Sequence, residues 1–192
     1  MGVSIAWVAV QHVQGDEVLS RLRLDRTGRL GAFDYRGVAC HALGPDWFLV
    51  LAGRCDHRIV QAASMAALSR GGRAVMCAVE EHVNFALTAF WDDGAMVWQV
   101  QHQGDEDNEN LCFEGRLPPG FDALVAGVEP EDSDNLDGYF HMDIPLMLAK
   151  ASCGFRHDET NDAFDATPFE MLGDPEAERK WWHRWKRWSG AQ

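Results

Sequence analysis

The sequence predicts an α+β fold: one domain with a twisted, mainly antiparallel sheet of about five to seven strands and helices packed on one face. Three observations carry that expectation. Short runs rich in β-branched and aromatic residues recur along the chain, separated by turn chemistry. One pair of them, residues 74–91 and 95–101, is joined by Asp92-Asp93-Gly94, the clearest hairpin signal present. At 192 residues, 46% hydrophobic and 24% charged, the chain has the composition of a globular domain large enough to bury its own core.

Residues 3–10 are apolar and β-branched, which suits a buried first strand rather than a leader: the segment has neither a basic start nor a small-residue cleavage site. Asp16 is placed to cap a short helix with Val18, Leu19 and Leu22 on one side, ended by turn chemistry at Arg26-Thr27-Gly28. Residues 38–43 and 47–52 form a second predicted hairpin around Gly44-Pro45-Asp46. An alanine-rich helix is expected from Asp56 to Ser69, stopped by Gly71-Gly72. In the main hairpin, a three-residue loop with glycine last sets Thr88 opposite Trp98 and Asn84 opposite His102, with Phe90, Met96, Trp98 and Val100 facing the core. A strand at 111–114 and a helix at 121–128 follow, each after an acidic or proline-rich break. Asp143-Ile144-Pro145 has the form of a helix start, with Gly154 as its end. A short apolar segment at 169–172 is of undetermined type. Asp174-Pro175 then opens a last helix, residues 176–188, with Glu176 and Glu178 in its first turn and Lys186 and Arg187 in its last.

Charge divides the chain in two. The net charge is −13, from 30 acidic and 17 basic side chains, and residues 175–192 carry +3 of it, leaving −16 on residues 1–174. We therefore divide the chain into an acidic α+β domain, 1–174, and a C-terminal Trp-rich basic amphipathic helix, 175–192. On that helix Trp181, Trp182, Trp185 and Trp188 share an arc of about 120°, and basic residues fill the remainder. The ordinary reading is that the stripe packs on its own sheet or on a second copy, as a homodimer contact. The strongly acidic body disfavours both nucleic acid and membrane as partners. Asp105, Glu106, Asp107 and Glu109, with Glu131, Asp132 and Asp134, lie in runs that lack the ligand spacing of a calcium loop; they are the expected binding surface for a basic protein, together with Trp181, Trp185 and Trp188.

No nucleophile elbow, phosphate-binding loop or dinucleotide fingerprint is present, and no cofactor or metal is expected. The five cysteines are scattered without a C-x-x-C pair; Cys40, Cys77 and Cys112 fall in apolar runs, where a thiol acts as a small hydrophobe. A reducing cytoplasm is the expected compartment. The alternative to a binding protein is a metal-dependent or acid/base hydrolase, with His82, His102, His157 and Asp158 as its catalytic candidates, since the expected register places His82 and His102 on one sheet face.

Val79-Glu-Glu-His-Val83, Trp91-Asp-Asp-Gly94, Val97-Trp-Gln-Val-Gln-His102, Ile144-Pro145 and Gly154-Phe-Arg-His-Asp158 together resemble an uncharacterised family of small bacterial proteins, over roughly residues 1–172. The resemblance implies no activity and no site residues. In its size, acidity and α+β character the chain also resembles immunity proteins that neutralise bacterial toxins. The expected function is accordingly a non-enzymatic cytoplasmic binding protein of immunity type, with a basic toxin as the expected partner.

Overall fold

The computed structural model describes residues 2–44, 46–104, 110–128, 140–159 and 168–177. Its centre is one antiparallel sheet of nine strands: β1 (Ser4–Gln11), β2 (Asp25–Gly31), β3 (Val38–Leu43), β4 (Trp47–Ala52), β5 (Arg73–Glu80), β6 (Phe85–Asp92), β7 (Ala95–Gln103), β8 (Leu111–Gly115) and β9 (Phe169–Gly173). Across the sheet the order is β2-β9-β3-β4-β1-β5-β6-β7-β8. The helices are α1 (Gly15–Leu22), α2 (Ala62–Leu68), α3 (Phe121–Ala126) and α4 (Asp143–Cys153), with 3-10 turns at Arg58–Val60 and Glu81–Val83.

Helices cover both faces of this sheet, which corrects the expectation of one. β1 is apolar at every position from Ile5 to Val10, so its alternating side chains are buried on both sides. Val8 and Val10 meet Val18, Leu19 and Leu22 of α1 and Met65 and Leu68 of α2. Ile5, Trp7 and Ala9 meet Leu146, Ala149 and Cys153 of α4 on the opposite face, and Phe121 of α3 joins the same side through Trp98, Val100, Ile144 and Leu148. The buried Thr88 hydroxyl donates to the Pro145 carbonyl at 2.8 Å, tying the first turn of α4 to β6.

Several expected boundaries shift for local reasons. The run 74–91 is two strands, because the Glu81–Val83 turn and Asn84, at φ 51°, reverse the chain; Asn tolerates the left-handed region through its short polar side chain. The next hairpin closes in two residues, Asp93 and Gly94, both at positive φ (44° and 85°), which is the type I′ geometry that matches strand twist. Together with a register shift between Phe90 and Trp91, this sets Phe90 opposite Trp98, Thr88 opposite Val100 and Ala86 opposite His102. Arg26, Thr27 and Gly28 do not end a helix but lie within β2, an edge strand of polar composition that carries no alternating pattern. The alanine-rich segment is broken at Gln61, and Asp56 pairs with Arg54 rather than capping a helix. Gln14 and Met142, not Asp16 and Asp143, occupy the cap positions of α1 and α4. The hairpin β3–β4, the stop at Gly154 and the Asp174 cap follow the sequence reading: Asp174 Oδ1 accepts from the N–H groups of Glu176 and Ala177 at 3.1 and 3.2 Å. Among the described residues, no helix is long and apolar enough to cross a membrane.

Candidate functional site

The turn that reverses β5 into β6 and the segment that opens α4 face one another at one end of the sheet. Between them is a cleft of about 410 Å³, walled by Phe140, Met142 and Leu146 on the apolar side and by Glu81, Asn84, Asp143, Arg156 and Asp158 on the polar side. Three carboxylates and one guanidinium line it, and the guanidinium bonds two of the three. Arg156 grips Asp158 with two hydrogen bonds of 2.7 Å, Nε to Oδ1 and Nη2 to Oδ2, and also reaches Asp143 Oδ1. Burial works against the charge on Arg156, but the two carboxylates outweigh it and raise the guanidinium pKa above its ordinary value. Burial likewise acts to raise the Asp158 carboxyl, and the Arg156 contacts win, holding it below the usual carboxylate range. Asp143 Oδ2 accepts from the Phe140 N–H at 3.0 Å, which closes the turn before α4. Glu81 Oε2 accepts from the Val3 N–H at 2.7 Å.

His157 stands behind this wall. Its side chain is 4% exposed, with Nε2 3.9 Å from Glu81 Oε1 and Nδ1 4.0 Å from Asp158 Oδ1. Both separations exceed a hydrogen bond, and neither ring nitrogen has a hydrogen-bond partner among the described residues. Burial depresses the imidazole pKa despite the flanking carboxylates, so the ring is neutral at physiological pH.

The remaining predicted histidines go to different surroundings. His82 lies in the exposed turn, with Nδ1 2.6 Å from Glu80 Oε1. His102 is fully buried on β7, where Nδ1 contacts the Asn110 carbonyl at 2.9 Å and the ring stacks on His141 with centroids 6.3 Å apart. Of His82, His102, His157 and Asp158, only Asp158 lines the cleft. The described residues contain no group of three or more His, Cys, Asp or Glu side chains arranged to hold a metal. The buried thiols are muted as well: burial pushes Cys40 up to about 11 and Cys77 and Cys153 to about 12, far from thiolate formation near neutral pH.

His102 and its neighbours also fix the roots of both acidic segments. Gln103 N–H donates to the Asn110 carbonyl at 3.4 Å and Gly104 N–H to the Asn84 carbonyl at 3.0 Å, so the chain leaves for residues 105–109, and returns from them, beside the β5–β6 turn. His141, stacked on His102, is the second residue after the segment 129–139. Asp105, Glu106, Asp107, Glu109, Glu131, Asp132 and Asp134 themselves, and Trp181, Trp185 and Trp188 of the predicted last helix, lie outside the described residues.

A second cluster was not legible in the sequence. Asp174, whose side chain is 8% exposed, receives Arg58 Nη2 at 2.9 Å and lies 3.2 Å from His57 Nε2; Arg58 Nη1 donates to the Leu22 carbonyl, and Glu176 reaches Arg23 at 2.9 Å. Because His57 Nδ1 accepts from the Ile59 N–H, its proton sits on Nε2 and points at Asp174. Burial lowers the His57 pKa even beside that carboxylate, while Arg58 and the Ala177 N–H overcome the effect of burial on Asp174 and hold it below the usual range. The group borders a cleft of about 650 Å³, and its polar atoms are largely spent on one another, as in a clamp that fixes the root of residues 175–192 to the domain. The partners are more than a hundred residues apart, and only the Asp174-Pro175 cap was visible as a pattern.

No family model, no curated protein and no solved structure matches the chain, so the site itself has to carry any functional conclusion.

Proposed function

We propose that the chain is a non-enzymatic binding protein of the cytoplasm, of immunity type, whose acidic surface meets a basic protein partner such as a bacterial toxin. One observation carries the reading: the two segments richest in carboxylates are rooted side by side, through His102, Asn110 and His141, at one end of the sheet. Residues 105–109 and 129–139 hold nine acidic side chains and no lysine or arginine, a concentration of one sign that steers an oppositely charged protein during encounter. The dispersal of His82, His102 and His157 into separate surroundings favours binding over acid/base catalysis.

The test is association kinetics with the protein captured from the native host by the tagged full chain and identified. The reading expects that protein to be net basic and its on-rate to fall about tenfold or more between low and high salt. Conversion of the nine acidic residues to Asn and Gln should slow association at low salt to a similar degree. An on-rate indifferent to salt, or a neutralised variant that associates as fast as the native chain, overturns the reading.

A further inference from the structure

We infer that the cleft between the β5–β6 turn and α4 takes one basic side chain of the protein partner, its alkyl stem on Phe140, Met142 and Leu146 and its cationic head on Glu81. The inference rests on the binding reading above and names its point of anchorage.

Four features of the cleft lead there. Arg156, the one cation among the described residues of its lining, is committed, since it spends its contacts on Asp158 and Asp143. Glu81, by contrast, uses only Oε2, on the Val3 N–H; its Oε1 accepts no hydrogen bond among the described residues. The buried His157 ring is directed at that same oxygen from 3.9 Å without bonding it, and a neutral ring supplies no charge, so among the described residues no cation compensates the carboxylate. Finally, the opposite wall is apolar, which is the pairing of surfaces that a lysine or arginine side chain presents along its own length. The position agrees with the chemistry: Asn84, whose carbonyl holds Gly104 at the root of one acidic segment, and Phe140, the first described residue after the other, both line the cleft. A partner drawn in by the acidic segments thus arrives where one basic side chain can be seated.

The test uses ¹⁵N-labelled full chain titrated with N-acetyl-lysinamide and N-acetyl-argininamide, with N-acetyl-glutaminamide as an uncharged control. Saturable shifts at the amides of Glu81, Asn84, Met142 and Asp143 are expected with the cations and not with the control. Glu81→Gln keeps a carbonyl for the Val3 N–H and should weaken binding about fivefold. If that variant loses its dispersed spectrum, Met142→Gln asks the same question from the apolar wall and should weaken binding as well. Equal shifts with the neutral amide, shifts confined to residues outside the cleft, or unchanged affinity in these variants overturn the inference. A tetralysine peptide separates it from the reading on which it rests. Salt-sensitive binding of that peptide, unaltered by Glu81→Gln, removes the cleft and keeps the acidic surface; cation binding in the cleft with a salt-indifferent partner keeps the cleft and removes the surface.

Discussion

His157 is a polar ring enclosed without hydrogen bonds among the described residues, facing Glu81 and Asp158 and next in sequence to Arg156. Its pKa, like that of His57, lies below the ordinary imidazole value because burial disfavours the charged ring. A histidine depressed in this way binds fewer protons folded than unfolded. Its contribution to stability is therefore complete above the ordinary imidazole range, near about 6.5, and is lost as the pH falls through the folded value. Asp158 and Asp174, held low in the fold, add a further loss below the carboxylate range, in the same direction. Urea midpoints measured from about pH 8 down to about pH 5 should fall with acidification, and His157→Gln should flatten the slope. A native midpoint constant over that interval would refute the account. At this scale the sequence marked His157 and Asp158 as chemistry-bearing, but it could not show that one would be sealed and the other gripped by Arg156, because both fates depend on what α4 and the β5–β6 turn bring alongside.

At the level of elements, close approach of backbones decides one position sharply. Gly53 donates its N–H to the Gly37 carbonyl, and a Cβ built on it would stand 1.7 Å from the Tyr35 carbonyl oxygen. That neighbour is backbone, in a loop already holding Tyr35 at φ 62°, and cannot swing aside as a side chain would. Gly53→Ala should cost about 2–3 kcal/mol in the free energy of unfolding, read by urea titration; a loss under about 0.5 kcal/mol would show the loop to be free to move. Elements with local signals were legible: β1, the β3–β4 hairpin and α4 all stood out through apolar runs, turn residues or glycine stops. Elements defined by distant partners were not. β2 is polar because it is an edge, and β9 is a strand because β2 and β3 flank it, at Arg26↔Leu172 and Val38↔Leu172. The two-residue difference in the β6–β7 register has two sources of one residue each: the turn closes with Asp93 and Gly94 alone, and the ladder shifts again between Phe90 and Trp91.

At the scale of the whole molecule, the nine described strands lie between residues 4 and 173, with the Asp174 clamp just beyond. Removal of residues 178–192 should therefore leave a cooperative thermal transition, since Asp174, Glu176 and their arginines remain. A cut before residue 168 should abolish that transition by taking β9 out of the sheet. Loss of folding in the shorter deletion would instead make the Trp-rich segment part of the core. The recurrent β-branched runs and turn signals foretold the antiparallel α+β class, whereas the covering of both faces could be seen only once β1 was known to be central. The seat of β9 has a consequence for biosynthesis. Its pairing of Gly173 with Asp25 spans about 150 residues, so at roughly 5–20 residues per second the hydrogen-bonding edges of β2 and β3 wait on the order of 10–30 s on the ribosome for the strand that joins them. Throughout that interval β2 has no strand partner and β3, already paired with β4, presents one open edge, the kind of surface on which another chain can add.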